Sequence, residues 1–269
     1  MITIKTVKEY IHTNRARLKK IIPTALLLAA ICVGICCYMN REKAMEASNM
    51  YGDRKLPIYC VETDQNVVAL SFDAAWGNED TKEILDILER HDVKVTFFMT
   101  GGWVEAYPED VKAIYAAGHE LGNHSENHLN MSELSMEKIE EEIMLVHNRV
   151  KELTGYDMCV FRPPYGDYDN DVITGVENCG YYAIQWSIDS LDWKDYGADS
   201  IIEKVTCNEN LEGGAIILCH NGAKYTADAL EEMIVRLKEQ GYSFVKMSDL
   251  IYKDNYEMNA AGQQCPCGE

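Results

Sequence analysis

The chain has 269 residues, which suits one large domain with extensions or two small ones. A hydrophobic fraction of 47% is enough for a sizeable core, and a formal net charge of −19 sets nucleic acid phosphates aside as partners. The charge is uneven: residues 1–40 hold six Lys/Arg and one acid, Glu9, so the remainder carries −24 and would also repel anionic polymers.

Residues 1–20 form a basic segment in which Arg15, Arg17, Lys19 and Lys20 precede a run of nineteen residues, 21–39, without a charge. That run is about long enough to span a hydrocarbon core. The excess of positive charge before it predicts an N-terminus held inside and an exported body, hence a single-pass anchor in a bacterial cytoplasmic membrane. A cleaved signal peptide is the alternative, but no clear small-x-small site follows. Residues 40–61 read as a polar linker, 62–254 as the globular domain and 255–269 as a solvated tail. The ten cysteines show no metal-ligand spacing; Cys159 and Cys219 read as small buried hydrophobes, and Cys265 and Cys267 form a Cys-Pro-Cys in the tail.

In the body, short apolar runs alternate with helical spacing. Strands are predicted at 67–72, 93–99, 119–123, 159–161, 182–186, 215–219 and 242–245. Helices are predicted at 80–89, 108–117, 135–154, 172–178, 200–206 and 227–239. The longest carries Ile139, Ile143, Val146 and Val150 on one stripe and stops at Gly155. This rhythm implies an α/β fold with a parallel sheet, and about seven repeats in some 190 residues favour a barrel. Chemistry then belongs at the C-terminal ends of the strands.

Five clusters fall at such ends. Asp73, in SFDAAWG, could be a base or a metal ligand, or simply a turn cap. His124 and His128 stand four apart, which on one face of a helical turn suits a single metal ion; alone they could equally be a surface pair. Asn123 is a partner for their outer shell. Arg162 opens RPPYG; at a strand end it needs a buried carboxylate, and the two prolines stiffen a loop fit for backbone oxyanion donors. Asp189, Asp192 and Trp193 follow the next strand, an acid beside an aromatic ring as a sugar site uses, or else a helix cap with a packed Trp. His220 ends a very apolar strand, where a core histidine is as common as a functional one.

Taken together and in this order, SFDA, HSENH, RPPYG, DW and LCH resemble the motifs of the polysaccharide deacetylases, the NodB-homology group of family 4 carbohydrate esterases, over about residues 62–254. The resemblance implies a deformed (β/α) barrel of about seven strands and removal of N-acetyl groups from a polysaccharide. Location and family together point to a cell-wall glycan, peptidoglycan or a chitin-type oligomer. By the same resemblance Asp73 is the catalytic base, Arg162 its partner, His220 the general acid and Asp192 its charge partner, with Asp189 as rival. Tyr165 supplies an oxyanion N–H, Trp193 and Leu218 line the pocket, and His124 and His128 bind a divalent metal, zinc or another such as cobalt.

One position departs from the family pattern. The second aspartate of the first motif, the usual third metal ligand, is Ala74, whose methyl coordinates nothing; sporulation-associated relatives share this loss. Asp73 itself, Asn78, Glu79, Asp80 or water are the substitutes along the chain. The rival expectation is a membrane-anchored glycan-binding pseudoenzyme, and a third is another amide or ester hydrolase on the same centre. The sequence leaves the oligomeric state open.

Overall fold

A computed structural model describes residues 54–267. The expected anchor at 21–39 lies outside the described residues; among those described, no helix is long and apolar enough to cross a membrane.

The main sheet grows from β2 (Val67–Ala74), which is buried from Val68 onward because both faces are covered. Its alternation separates two cores. Val68, Leu70 and Phe72 pack outward into a helix-facing layer with Ile84, Ile143, Val146 and Leu230. Ala69 instead joins an inner cluster with Ile58, Phe98, Val160, Ile184 and Ile216. Period-two geometry therefore aims Ser71 and Asp73 inward too.

Around β2 the sheet runs β6 (Tyr182–Ala183), β5 (Val160–Phe161), β4 (Glu120–Asn123), β3 (Thr96–Met99), β2, β8 (Ile216–His220) and β7 (Ile188–Asp189), all parallel. A short β9 (Ser243–Phe244) pairs with the start of β2. The order does not close from β6 to β7. Ile58 fills that gap, donating to Ala183 O and accepting from Gln185 N, while Val61 N donates to Gly214 O. The result is a curled, seven-strand parallel half-barrel, in agreement with the deformed barrel expected.

Helices α1 (Thr81–Arg90), α3 (Pro108–Ala116), α4 (Met136–Thr154), α5 (Asn170–Asn178), α6 (Ala198–Thr206) and α7 (Thr226–Glu239) match the predicted positions within two residues at each end. The four stripe residues of α4 are buried, and Gly155 closes that helix at φ 74°. Two short helices, α2 (Gly101–Ala106) and α8 (Met247–Leu250), and strand β7 were not expected; each is too short to show a period.

The segment expected to be a solvated tail is instead structured. Strands β10 (Tyr256–Met258) and β11 (Gln263–Pro266) form a small sheet with β1 (Cys60–Val61), which belongs to the expected linker. Gln264, wholly buried, bridges Tyr252 N and O, so polar residues there serve backbone pairing rather than solvation. All seven described cysteines are free thiols; Cys219 is buried as expected, while Cys159 is only partly so.

Candidate active site

Asp73 and His220 are register partners on the adjacent parallel strands β2 and β8, so both inward-facing side chains emerge at one rim of the half-barrel. Each meets its own buried partner. Arg162, fully buried just past β5, donates from Nη1 to Asp73 Oδ1 at 2.6 Å and from Nη2 to Ser71 Oγ at 2.9 Å and Gln185 O at 3.2 Å. Its guanidinium lies over the Phe98 ring at 4.1 Å. This is the buried carboxylate that an arginine at that strand end required. Burial pushes the Asp73 carboxyl up, but the charges of Arg162, His124 and His220 outweigh it and hold the group below the usual carboxylate range.

Asp192 is wholly buried and accepts from His220 Nδ1 at 2.7 Å, His220 N at 2.6 Å, Trp193 N at 2.9 Å and Thr226 Oγ1 at 2.7 Å. Burial alone would lower the His220 imidazole; its bond to Asp192 and the charges of Asp192 and Asp73 raise it above its ordinary value. Of the two rival acids, Asp192 is the one bonded to His220. Asp189 caps the turn by accepting from Leu191 N at 2.8 Å.

The His pair is brought together, though not as a helical turn. Residues 124–130 form a loop, and Ser125 (φ 65°) and His128 (φ 54°) adopt left-handed backbone. Asn123 Oδ1 accepts from Ser125 N, Ser125 Oγ accepts from His128 N, and Glu142 accepts from Asn127 N and Nδ2. Glu126 forms a two-bond pair with Arg149. These bonds replace the helical ladder and put the two imidazoles 4.9 Å apart, centroid to centroid. The spacing was informative, the assumed helix was not, because side-chain bonds outcompete the local helical ones here.

His124 Nδ1 lies 2.7 Å from Arg162 O. A carbonyl only accepts, so Nδ1 carries the hydrogen and Nε2 presents its lone pair. That lone pair faces Asp73 Oδ2 at 3.4 Å, acceptor against acceptor. Burial, opposed by the Asp73 charge, brings His124 down to about 4, and burial likewise lowers His128. Both are therefore neutral donors in the form a cation takes. Their donor set fits a divalent ion at two imidazoles, with Asp73 alongside. A third family-type ligand is lacking: Ala74 is wholly buried in the helix-facing core. Asn78 donates to Asp110, Asp80 holds Asn221 and Gly222, and Glu79 accepts from Asn78 N, so none of the three substitutes serves the pair. No group of three His, Cys, Asp or Glu suited to a metal occurs among the described residues.

Asp73, His124, His128 and His220 line a cleft of 470 Å³ with Tyr165, Trp193, Leu218, Asp189, Trp186 and Trp76, while Arg162 and Asp192 lie behind it. Tyr165, at φ 59° in the stiff Pro163–Pro164 loop, sets its ring 4.5 Å from that of His128. Ser71, Trp76, Trp186 and Thr226 were not singled out as site residues from sequence. The alternation of β2 could have found Ser71; nothing local marks the others.

The family profile for polysaccharide deacetylases matches residues 61–184. A peptidoglycan-N-acetylglucosamine deacetylase of Bacillus cereus is 35% identical over 71% of this chain and 91% of its own length. The peptidoglycan-N-acetylmuramic acid deacetylase PdaA of Bacillus subtilis is 32% identical over 72% of this chain and 75% of its own. Among solved structures, a pseudoenzyme of carbohydrate esterase family 4 from Bacillus anthracis is 36% identical and superposes with a TM-score of 0.69 over 72% of this chain and 68% of that one. With the fold, the motif order and these relatives in agreement, the chain belongs to the polysaccharide deacetylase family.

Proposed function

We propose that this protein hydrolyses N-acetyl groups on amino sugars of a cell-wall glycan, most simply peptidoglycan, releasing acetate. The observation that carries the reading is the register pairing of Asp73 and His220 on neighbouring strand ends, which suits them as base and acid. Arg162 favours the ionised form of Asp73, and Asp192 favours the protonated form of His220. A protein that merely binds sugar has no need of two buried charge pairs, each costly to desolvate.

In this reading Asp73 Oδ2 takes a proton from the attacking water as it adds to the acetamide carbon. The Tyr165 N–H, in its stiff loop, donates to the oxyanion. His220 Nε2 gives its proton to the nitrogen as the C–N bond breaks, acetate departs, and a free amine remains on the glycan. A divalent cation at His124 and His128, zinc or a similar ion, would supply Lewis-acid polarisation of the carbonyl and water. Leu218 and Trp193 shape the wall and exclude solvent. We further propose residues 21–39 as a membrane anchor that leaves this domain outside the cytoplasm.

Acetate release from a soluble N-acetylglucosamine oligomer, with and without added zinc, is the test. Release that a chelator abolishes and zinc restores is expected; no release with any divalent metal, beside intact glycan binding, overturns the enzyme reading. The rival, a non-catalytic glycan binder, draws on Ala74 and on the likeness to a pseudoenzyme. Replacing His124→Ala is expected to remove bound zinc, measured as metal content after dialysis; unchanged content refutes the ligand assignment.

A further inference from the structure

Trp76 closes the SFDAAWG cluster without a role assigned from sequence, yet the fold builds it a firm seat. Its indole stacks on the His220 imidazole, centroids 5.4 Å apart and planes inclined by 20°. Behind it, Gly222 (φ 87°) brings backbone so close that a Cβ there would meet Trp76 O at 2.9 Å and Cδ1 at 3.3 Å. Asp80 Oδ1 fixes that glycine by accepting from its N–H at 2.9 Å. On the other side, Gly77 O accepts from Trp103 Nε1 at 2.7 Å. Despite this anchoring, Trp76 is 46% exposed on the rim of the cleft, where Trp193 is 52% and Tyr165 70% exposed.

Core packing does not account for an indole held on one face with about half its surface in water. A rigid exposed aromatic does suit a sugar, whose C–H face is apolar and whose hydroxyls stay in solvent, and prior ordering reduces the entropy lost on binding. The reacting amide has to reach Asp73 and the open Nε2 edge of His220 together. Trp76 covers the face of that imidazole rather than its edge, so its outer surface stands one ring away from the reacting unit.

We propose that Trp76 is a sugar-stacking residue whose inner face carries His220 and whose outer face takes the pyranose next to the one being deacetylated. The proposal rests on the deacetylase reading above. It assigns the protein an oligomeric substrate of at least two sugars.

Titration calorimetry of the full chain with N-acetylglucosamine and with its tetramer tests this, using Trp76→Ala and Trp76→Phe variants and circular dichroism to confirm folding. The tetramer Kd is expected to rise about tenfold in Trp76→Ala, a loss of about 1.4 kcal/mol. It should recover most of that in Trp76→Phe, while the Kd for the single sugar stays unchanged. Unchanged tetramer affinity in Trp76→Ala, beside a wild type that binds, overturns the Trp76 assignment alone. An equal loss for the single sugar overturns the neighbouring position. A wild type that binds neither ligand overturns the deacetylase reading and this inference with it.

Discussion

Replacing Arg162→Met is expected to lower unfolding free energy by about 3–5 kcal/mol and to abolish activity. The arginine has no exposed surface and holds three oxygens, on Asp73, Ser71 and Gln185. Methionine fills much of the volume but leaves the Asp73 carboxylate buried without its partner. The sign of the pH dependence follows from Asp73. Its folded value lies below the ordinary carboxylate range, so its contribution is present above about pH 4 and fades as pH falls through the folded value. Urea unfolding at neutral pH should show the full loss, and the gap between wild type and variant should narrow in acid. A gap that widens in acid, or a loss under 1 kcal/mol, contradicts the assignment. Arg162→Lys restores charge without the two-pronged fork and should recover only part of the stability.

Replacing Asp192→Asn is expected to reduce kcat by about 10²–10⁴. Asp192 offers both oxygens to four donors, two on His220, one on Trp193 and one on Thr226. An amide keeps one oxygen and turns an NH₂ toward the rest, so at least one donor meets a donor. The imidazolium also loses its counter-charge. In the proposed mechanism His220 acts while protonated, and its raised value is expected to put the alkaline limb of the rate profile above about pH 6.5 in the wild type. It should move toward acid in Asp192→Asn, whereas the acid limb, set by Asp73, should stay. Asp189→Asn is the comparison: that acid bonds Leu191 N and acts on His220 only through its charge, a smaller contribution than that of Asp192, so its alkaline limb should move much less. Matching profiles in wild type and Asp192→Asn would refute the pairing.

Much of this site was legible in the chain. The alternation of Leu70, Ser71, Phe72 and Asp73 marks a strand that ends on an inward acid, and the apolar run before His220 marks another. An arginine at the end of an apolar run had to find a carboxylate. The His-x3-His spacing foretold that the two rings lie together, but on the wrong local structure: the loop around Ser125 and His128 is shaped by Asn123 and Glu142, the latter reaching in from a helix fifteen residues on.

Other features were not legible, because their partners are distant in sequence. The choice between Asp189 and Asp192 depends on a left-handed Leu191 (φ 55°), which aims one carboxylate at β8 and the other at its own turn. The tail read as solvated, yet Gln263 and Gln264 pair with Cys60 and Val61 and Gln264 is wholly buried. Trp76 received no role from sequence, because the His220 ring it stacks on lies 144 residues further along the chain.

The sequence by itself determined the βα rhythm, the two-sided burial of the strands and the identities of the acids, bases and imidazoles. Hydrophobic periodicity and side-chain chemistry are local properties that a linear reading captures. The tertiary structure alone decided who meets whom. Asp73 meets Arg162 across 89 residues, and His220 meets Asp192 across 28. Those encounters depend on strand order and on the curl of the sheet, which no short stretch of chain encodes. The Asp73–His220 register, and with it the cleft, exists only once β2 and β8 lie side by side.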